Sequence, residues 1–148
     1  FEALECHGGP GYIEESIMPR LYREAPLNSI WEGSGNVMCL DVLRALQRDK
    51  NALPSLFREL ASAKGSNKNF DESFSHLKET LQDPIDLEIE ARLLTEKMAC
   101  LIQASIFIKS GEEEKISAFC NSRLGPRWSG AFGTLPTDTS FEYIMGGI

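Results

Sequence analysis

A chain of 148 residues with 42% hydrophobic and 25% charged residues is long enough for one domain with a buried core and too apolar to be disordered throughout. Its net charge of −7 disfavours a free-standing nucleic-acid binder, which normally carries a basic excess. No apolar run approaches the roughly 20 residues that spanning a bilayer needs, so no membrane segment is expected.

Residues 1 to 7 read as helix, and Gly8-Gly9-Pro10-Gly11 is expected to stop it, since glycine and proline together cannot continue a helix. A second helix is expected over Ser16 to Ala25, with Pro19 in the first turn, where a missing N–H costs nothing, and Pro26 ending it. Ser34 is placed to cap a helix from about Gly35 to Arg48, in which Val37, Leu40, Val42, Leu43 and Leu46 recur at helical spacing. Leu53 to Lys64 is another amphipathic run, closed by Gly65-Ser66-Asn67. Phe70 to Leu81 follows, with Asp71 or Asn69 available as cap and Phe70, Phe74, Leu77 and Leu81 on one stripe.

Asp83-Pro84 reads as the start of the longest helix, running to about Ser110 and ended by Gly111, with proline at its first position. Its inward face is expected to carry Leu87, Ala91, Leu94, Met98, Leu101, Ile102, Ser105 and Ile106. Glu112-Glu113-Glu114 begins a further helix to about Leu124, three acids complementing the positive end of the helix dipole. From Gly125 the composition turns to Gly, Pro, Trp and Thr, and irregular or short structure is expected to Ile148. No alternating strand pattern is present, so the class is all-α, in two layers: residues 1–48 and a helical extension over 49–148.

The four cysteines, Cys6, Cys39, Cys100 and Cys120, form no CxxC or CxxH pair, which argues against zinc or another metal centre. Two disulfides are formally possible, but neighbours such as Met38, Leu40, Ala99, Leu101 and Phe119 favour buried, reduced thiols in an intracellular protein. The opening Phe1-Glu2-Ala3-Leu4 reads as the last turns of a helix already under way. The expectation is therefore a C-terminal piece of a longer protein, cytoplasmic or mitochondrial, with targeting information upstream.

Two segments carry candidate chemistry. In Trp31-Glu32-Gly33-Ser34-Gly35-Asn36 a carboxylate stands after an indole and before a glycine-rich step, at the mouth of a helix. Glycine lets backbone approach a ligand closely. The indole would desolvate Glu32 and raise its pKa toward that of a base working near neutrality, and free N–H groups at the helix start would receive an oxyanion or phosphate oxygen. Glu32 could equally cap the helix or pair with an arginine. The Gly8–Gly11 turn lacks the preceding strand of a dinucleotide fingerprint. It could cradle a phosphate or simply be a turn.

Gly8-Gly9-Pro10-Gly11-Tyr12, then Arg20-Leu21-Tyr22-Arg23-Glu24-Ala25, then Ile30-Trp31-Glu32-Gly33-Ser34 resembles, in order and spacing, the C-terminal signature of flavin-dependent acyl-CoA dehydrogenases. The wording Trp31-Glu32-Gly33-Ser34-Gly35-Asn36 followed by Cys39-Leu40-Asp41-Val42-Leu43-Arg44 is most similar to the AidB-like branch. The strong match covers roughly residues 3 to 48; beyond it the likeness is one of architecture.

The resemblance implies FAD as cofactor, an acyl-CoA substrate and a homo-oligomer, dimer or tetramer. Glu32 matches the base that abstracts the α-proton while a β-hydride passes to the flavin, and its N–H helps hold the thioester carbonyl. Trp31 and Gly33 match substrate-contacting positions. Ser34, Gly35 and Asn36 match a segment touching FAD, with serine and asparagine standing for the commoner threonine and glutamine. Glu5, Cys6, His7, Gly8 and Gly9 match a stretch that contacts FAD of a neighbouring subunit. Glu5 stands where many members carry glutamine, and Glu24 where aspartate is usual. The rest of the family's catalytic fold is absent from this sequence, so the isolated chain is expected to be inactive. The alternative is an AidB-like binding protein for acyl-CoA, DNA or a protein, with weak or no dehydrogenation. For DNA the resemblance implies Arg44, and the tail itself offers a small basic-aromatic cluster, Arg123 and Arg127 with Trp128. Residues 49–148, however, hold 11 Lys and Arg against 15 Asp and Glu, a poor supply of cations for phosphate. Of the two histidines, His7 belongs to the glycine turn and His76 is expected on a helix surface.

Overall fold

The computed structural model describes residues 1–82, 87–126 and 130–146. Among these the chain is all-α, with no strand. The helices are α1 (Glu2–Cys6), α2 (Gly9–Tyr12), α3 (Met18–Glu24), a 3-10 segment (Ala25–Ser29), α4 (Gly35–Arg48), α5 (Ala52–Ala61), α6 (Lys68–Gln82), α7 (Ala91–Ser110), α8 (Glu113–Arg123) and α9 (Phe141–Met145).

The longest helix, α7, is central: α4, α5, α6 and α8 all pack against it. Its Leu94, Met98, Leu101 and Ala104 recur at helical spacing and are buried, with Leu43, Leu60, Phe70, Phe74, Leu77 and Cys120 closing the core around them. Phe74 meets Phe57 edge-on at 5.9 Å between ring centroids, and Phe107 of α7 lies 5.1 Å from Phe119 of α8, spacings at which aromatic pairs attract. The Lys109–Glu59 ion pair bridges α7 and α5. Leu43 of α4 belongs to the same core, so α4 is joined to the helices that follow it.

Local chemistry sets the helix ends. Asn67 caps α6, its Oδ1 accepting from the amides of Asn69 (2.9 Å) and Phe70 (3.2 Å). The expected caps, Asn69 and Asp71, do not fill that role; the Asp71 carboxylate instead accepts from the Gly65 amide, tying the α5–α6 turn. Gly111 ends α7 in the left-handed region at φ 76°, the conformation for which glycine carries no Cβ penalty. The helix expected from Asp83-Pro84 starts at Ala91. Residues 87–90 form turns, and Asp83 and Pro84 lie outside the described residues.

Two residues expected on the inward face of α7 point to solvent, Ile102 (39% exposed) and Ile106 (60%). The helix is apolar on more than one side, and the spacing alone does not choose the face. Ala104 holds the inner position instead, and the buried Ser105 satisfies its hydroxyl on the Ile102 carbonyl at 2.8 Å. The glycine turn ends α1 at Cys6, as expected, and Gly9–Tyr12 then forms one helical turn of its own. Pro26 ends α3 but the chain continues as 3-10 helix through it. The thiols are free; Cys120 is buried, whereas Cys6, expected to be buried, is exposed. His76 is exposed on α6, as expected. No helix of the described residues is long and apolar enough to cross a membrane.

Candidate functional site

The first candidate segment is built on a close approach. A Cβ on Gly11 would lie 2.3 Å from the Leu4 carbonyl oxygen, so only glycine lets α2 fold back onto α1. Gly8, at φ 61°, provides the left-handed link between them. Gly8 and Gly9 face open space, and Glu5, Cys6 and His7 are exposed, so this edge can receive a ligand. His7 spends one ring nitrogen locally: Nδ1–H donates to the Ala3 carbonyl at 2.7 Å, since a carbonyl only accepts. That leaves Nε2 for any partner.

A bidentate ion pair beside this turn went unread in the residue pattern. Arg23 donates through Nη1 and Nη2 to the two carboxylate oxygens of Glu14, at 2.7 and 3.2 Å, and this hydrogen bonding holds the Glu14 carboxyl below its usual range. Arg20 bonds Glu24 at 3.2 Å one turn along α3. Arg23 and Glu14 edge a hollow of about 480 Å³ lined also by Leu4, Tyr12, Ile13, Pro19 and Tyr22. Its pairing partner lies nine residues away in an irregular stretch, where periodicity carries no information.

The second segment leaves the 3-10 helix as tight turns. The amides of Ile30 and Trp31 donate to the Leu27 carbonyl at 2.9 and 3.1 Å, and the Gly33 amide to Ile30 at 3.2 Å. Gly33 sits at φ 124°, a conformation that side-chain-bearing residues avoid, and a Cβ there would press on Val37 Cγ1 at 3.3 Å. This geometry raises Glu32 on the outside of the turn. Among the described residues no ion pair or hydrogen bond holds its carboxylate, so it neither caps α4 nor pairs with an arginine. Trp31 does not provide the expected shielding: it is 63% exposed and Glu32 beside it is also open to water.

Ser34 occupies the N-cap position of α4, but no side chain caps this helix. The first intrahelical bond runs from the Met38 amide to the Ser34 carbonyl at 3.0 Å, so the amides of Gly35, Asn36 and Val37 precede it, as at any helix start. Across from them stands Arg92 of α7. Its Nη1 donates to Asn36 Oδ1 at 3.2 Å. An uncapped helix start flanked by small residues, with an amide and a guanidinium beside it, is a donor set that suits an anionic, phosphate-bearing group. The described packing groups α1, α2, α3 and the 3-10 segment together and sets α4 on α5 and α7. No hydrogen bond among the described residues joins Glu5–Gly9 to Ser34–Asn36.

The candidate DNA residues are engaged separately. Arg44 lies 3.5 Å from Asp41 on its own helix, and Arg123 stands over the Phe132 ring at 5.0 Å. Arg127 and Trp128 lie outside the described residues.

Comparison with known proteins places these segments. The family model described as "Acyl-CoA dehydrogenase, C-terminal domain" matches residues 2–47. The putative acyl-CoA dehydrogenase AidB of Escherichia coli (strain K12) is 40% identical over 126 residues, covering 85% of this chain and 23% of that protein. Acyl-CoA dehydrogenase family member 11 of Caenorhabditis elegans is 37% identical over 84 residues, covering 57% of this chain and 14% of that protein. The chain thus spans only a minor part of either relative's length. The match over α1 to α4, continued by the AidB relative through most of the extension, identifies this chain as a C-terminal portion of the acyl-CoA dehydrogenase family, of the AidB-like kind.

Proposed function

We propose that this chain supplies the catalytic base and part of the cofactor-binding surface of an FAD-dependent acyl-CoA dehydrogenase, with Glu32 removing the α-proton of an acyl-CoA thioester. In this reading residues 1–48 end the dehydrogenase's C-terminal helical domain and residues 49–148 form its AidB-like extension. The observation that carries it is Glu32 itself: a carboxylate raised on a glycine turn without any structural partner, immediately before an uncapped helix start. A carboxylate with no structural partner is free to act as a base, and proton transfer needs that access.

The flavin, when bound, would accept the β-hydride. Trp31 and Gly33 would border the acyl group, while the Glu32 amide would donate to the thioester carbonyl as charge develops there. Ser34, Gly35 and Asn36 would hold the cofactor from the α4 start. Gly8 and Gly9, with Glu5, Cys6 and His7, would meet cofactor carried by a neighbouring subunit of a homo-oligomer. Trp31 and Glu32 stand in water in the isolated chain, which supports the view that this piece alone does not turn over substrate. An intracellular setting suits the reading.

The test is reduction of bound FAD by a panel of acyl-CoAs in the complete protein, wild type against Glu32→Gln. Removing the base should slow flavin reduction by at least about 100-fold while FAD stays bound. Reduction at the wild-type rate in the variant would reassign the base, and no reduction in wild type by any acyl-CoA would favour the binding-protein alternative.

A further inference from the structure

The core fixes where Arg92 stands. It is the second residue of α7, next to the buried Ala91 and two residues before the buried Leu94. From there it reaches the first turn of α4, 56 residues away in sequence, and donates from Nη1 to Asn36 Oδ1 at 3.2 Å. A Cβ built on Gly35 would meet Nη2 at 3.2 Å, Cζ at 3.4 Å and Nη1 at 3.5 Å. These near-equal distances lay the guanidinium plane flat against the glycine. A side chain at position 35 would press on it and force the guanidinium to give by a few tenths of an ångström. A planar fork is what allows one side chain to cover a backbone and bond an amide at once, which a lysine ammonium does not do.

We propose that Arg92 is a positioning residue for the cofactor segment: it fixes Gly35 and Asn36 so that the start of α4 presents one geometry to the bound flavin nucleotide. The inference rests on the proposed function, and it assigns the extension a part in the dehydrogenase site. Arg92 shares a hollow of about 170 Å³ with Asn36, Leu40, Glu88, Ile89 and Ala91, and among the described residues it forms no ion pair with Glu88. The hydrogen bond to Asn36 is exposed. Its rupture should therefore disturb the presentation of α4 and leave the core intact.

The experiment uses the complete protein and FAD as probe, with Arg92→Met and Arg92→Lys. Arg92→Met should weaken FAD binding by about five- to tenfold, the span expected for losing one hydrogen bond and its packing, with the melting temperature shifted by no more than about 2 °C. Arg92→Lys should recover less than half of that loss on a logarithmic scale. Without FAD, the amides of Met38, Cys39 and Leu40, which bond to the carbonyls of residues 34–36, should exchange several-fold faster in Arg92→Met. If wild type binds FAD and Arg92→Met binds it equally well, the positioning role is wrong and the proposed function survives. Full recovery by lysine would mean that charge alone matters, and also overturns it. Failure of wild type to bind FAD overturns the proposed function and this inference with it.

Discussion

Cys120 sits with no solvent exposure in the core between α8 and α7, and burial pushes its thiol up from the ordinary 9.0 to about 11. Cys100 moves the same way, first through burial and then through the neighbouring Glu96 carboxylate. Both favour the protonated thiol, so neither is set up as a nucleophile. The shift has a sign for stability. Below about pH 9 the folded and unfolded chains both keep the Cys120 proton. Between about pH 9 and 11 only the unfolded chain loses it, and stability falls across that window. Cys120→Ala should be less stable near neutrality, having lost a packed side chain. Its stability should nevertheless decline less steeply than wild type over the same window, by on the order of 2 kcal/mol. Urea unfolding of both proteins across that pH range measures it. Identical slopes would show that the thiolate is accommodated in the fold.

At the scale of the element, α7 carries the architecture through one face only. Leu101 is fully buried while Ile106, little more than one turn away, is mostly exposed. Leu101→Ala should cost about 2–5 kcal/mol through lost transfer energy and the cavity left behind, whereas Ile106→Ala should stay within about 0.5 kcal/mol. Denaturant midpoints of the two variants decide the matter, and comparable losses would mean that the Ile106 side packs on something in solution. This face was hard to read from sequence because isoleucines at 102 and 106 fit the helical period as well as Ala104 and Ser105 do. By contrast, α4 was legible to the residue: a serine before the helix, two glycines around it and a regular leucine stripe agree on Gly35–Arg48. The start of α7 was not, since Asp83-Pro84 is a strong local start signal that turns over 87–90 override. The candidate site divides likewise. Trp31-Glu32-Gly33 announces itself by residue type and adjacency, but Arg92 is brought to it only by the packing of α7 on α4, which no local pattern encodes.

Across the whole molecule, burial is unevenly shared. Between Phe1 and Ser34 only Gly11 and Pro19 are buried, while Tyr12, Ile17, Leu27, Ile30 and Trp31 are exposed. Among the described residues, the large side chains of the core come from Leu43 to Leu124. The two glycine turns and Glu32 therefore ride on a layer held by few apolar contacts, beside a bundle held by many. Such layers open at lower free energy than the core, without global unfolding. In native-state hydrogen exchange of the 148-residue chain, amides of α1 to the 3-10 segment should exchange at least about 100-fold faster than those in the middle of α6 and α7, a gap near 3 kcal/mol in opening energy. Added denaturant should reduce the protection of α6 and α7 steeply and that of α1–α3 only slightly, because little surface is exposed when the outer layer opens. Equal protection throughout would contradict this picture. It would mean that the layer bearing Glu32 is as firmly built as the core, and that enclosure by further protein is not needed to order the base.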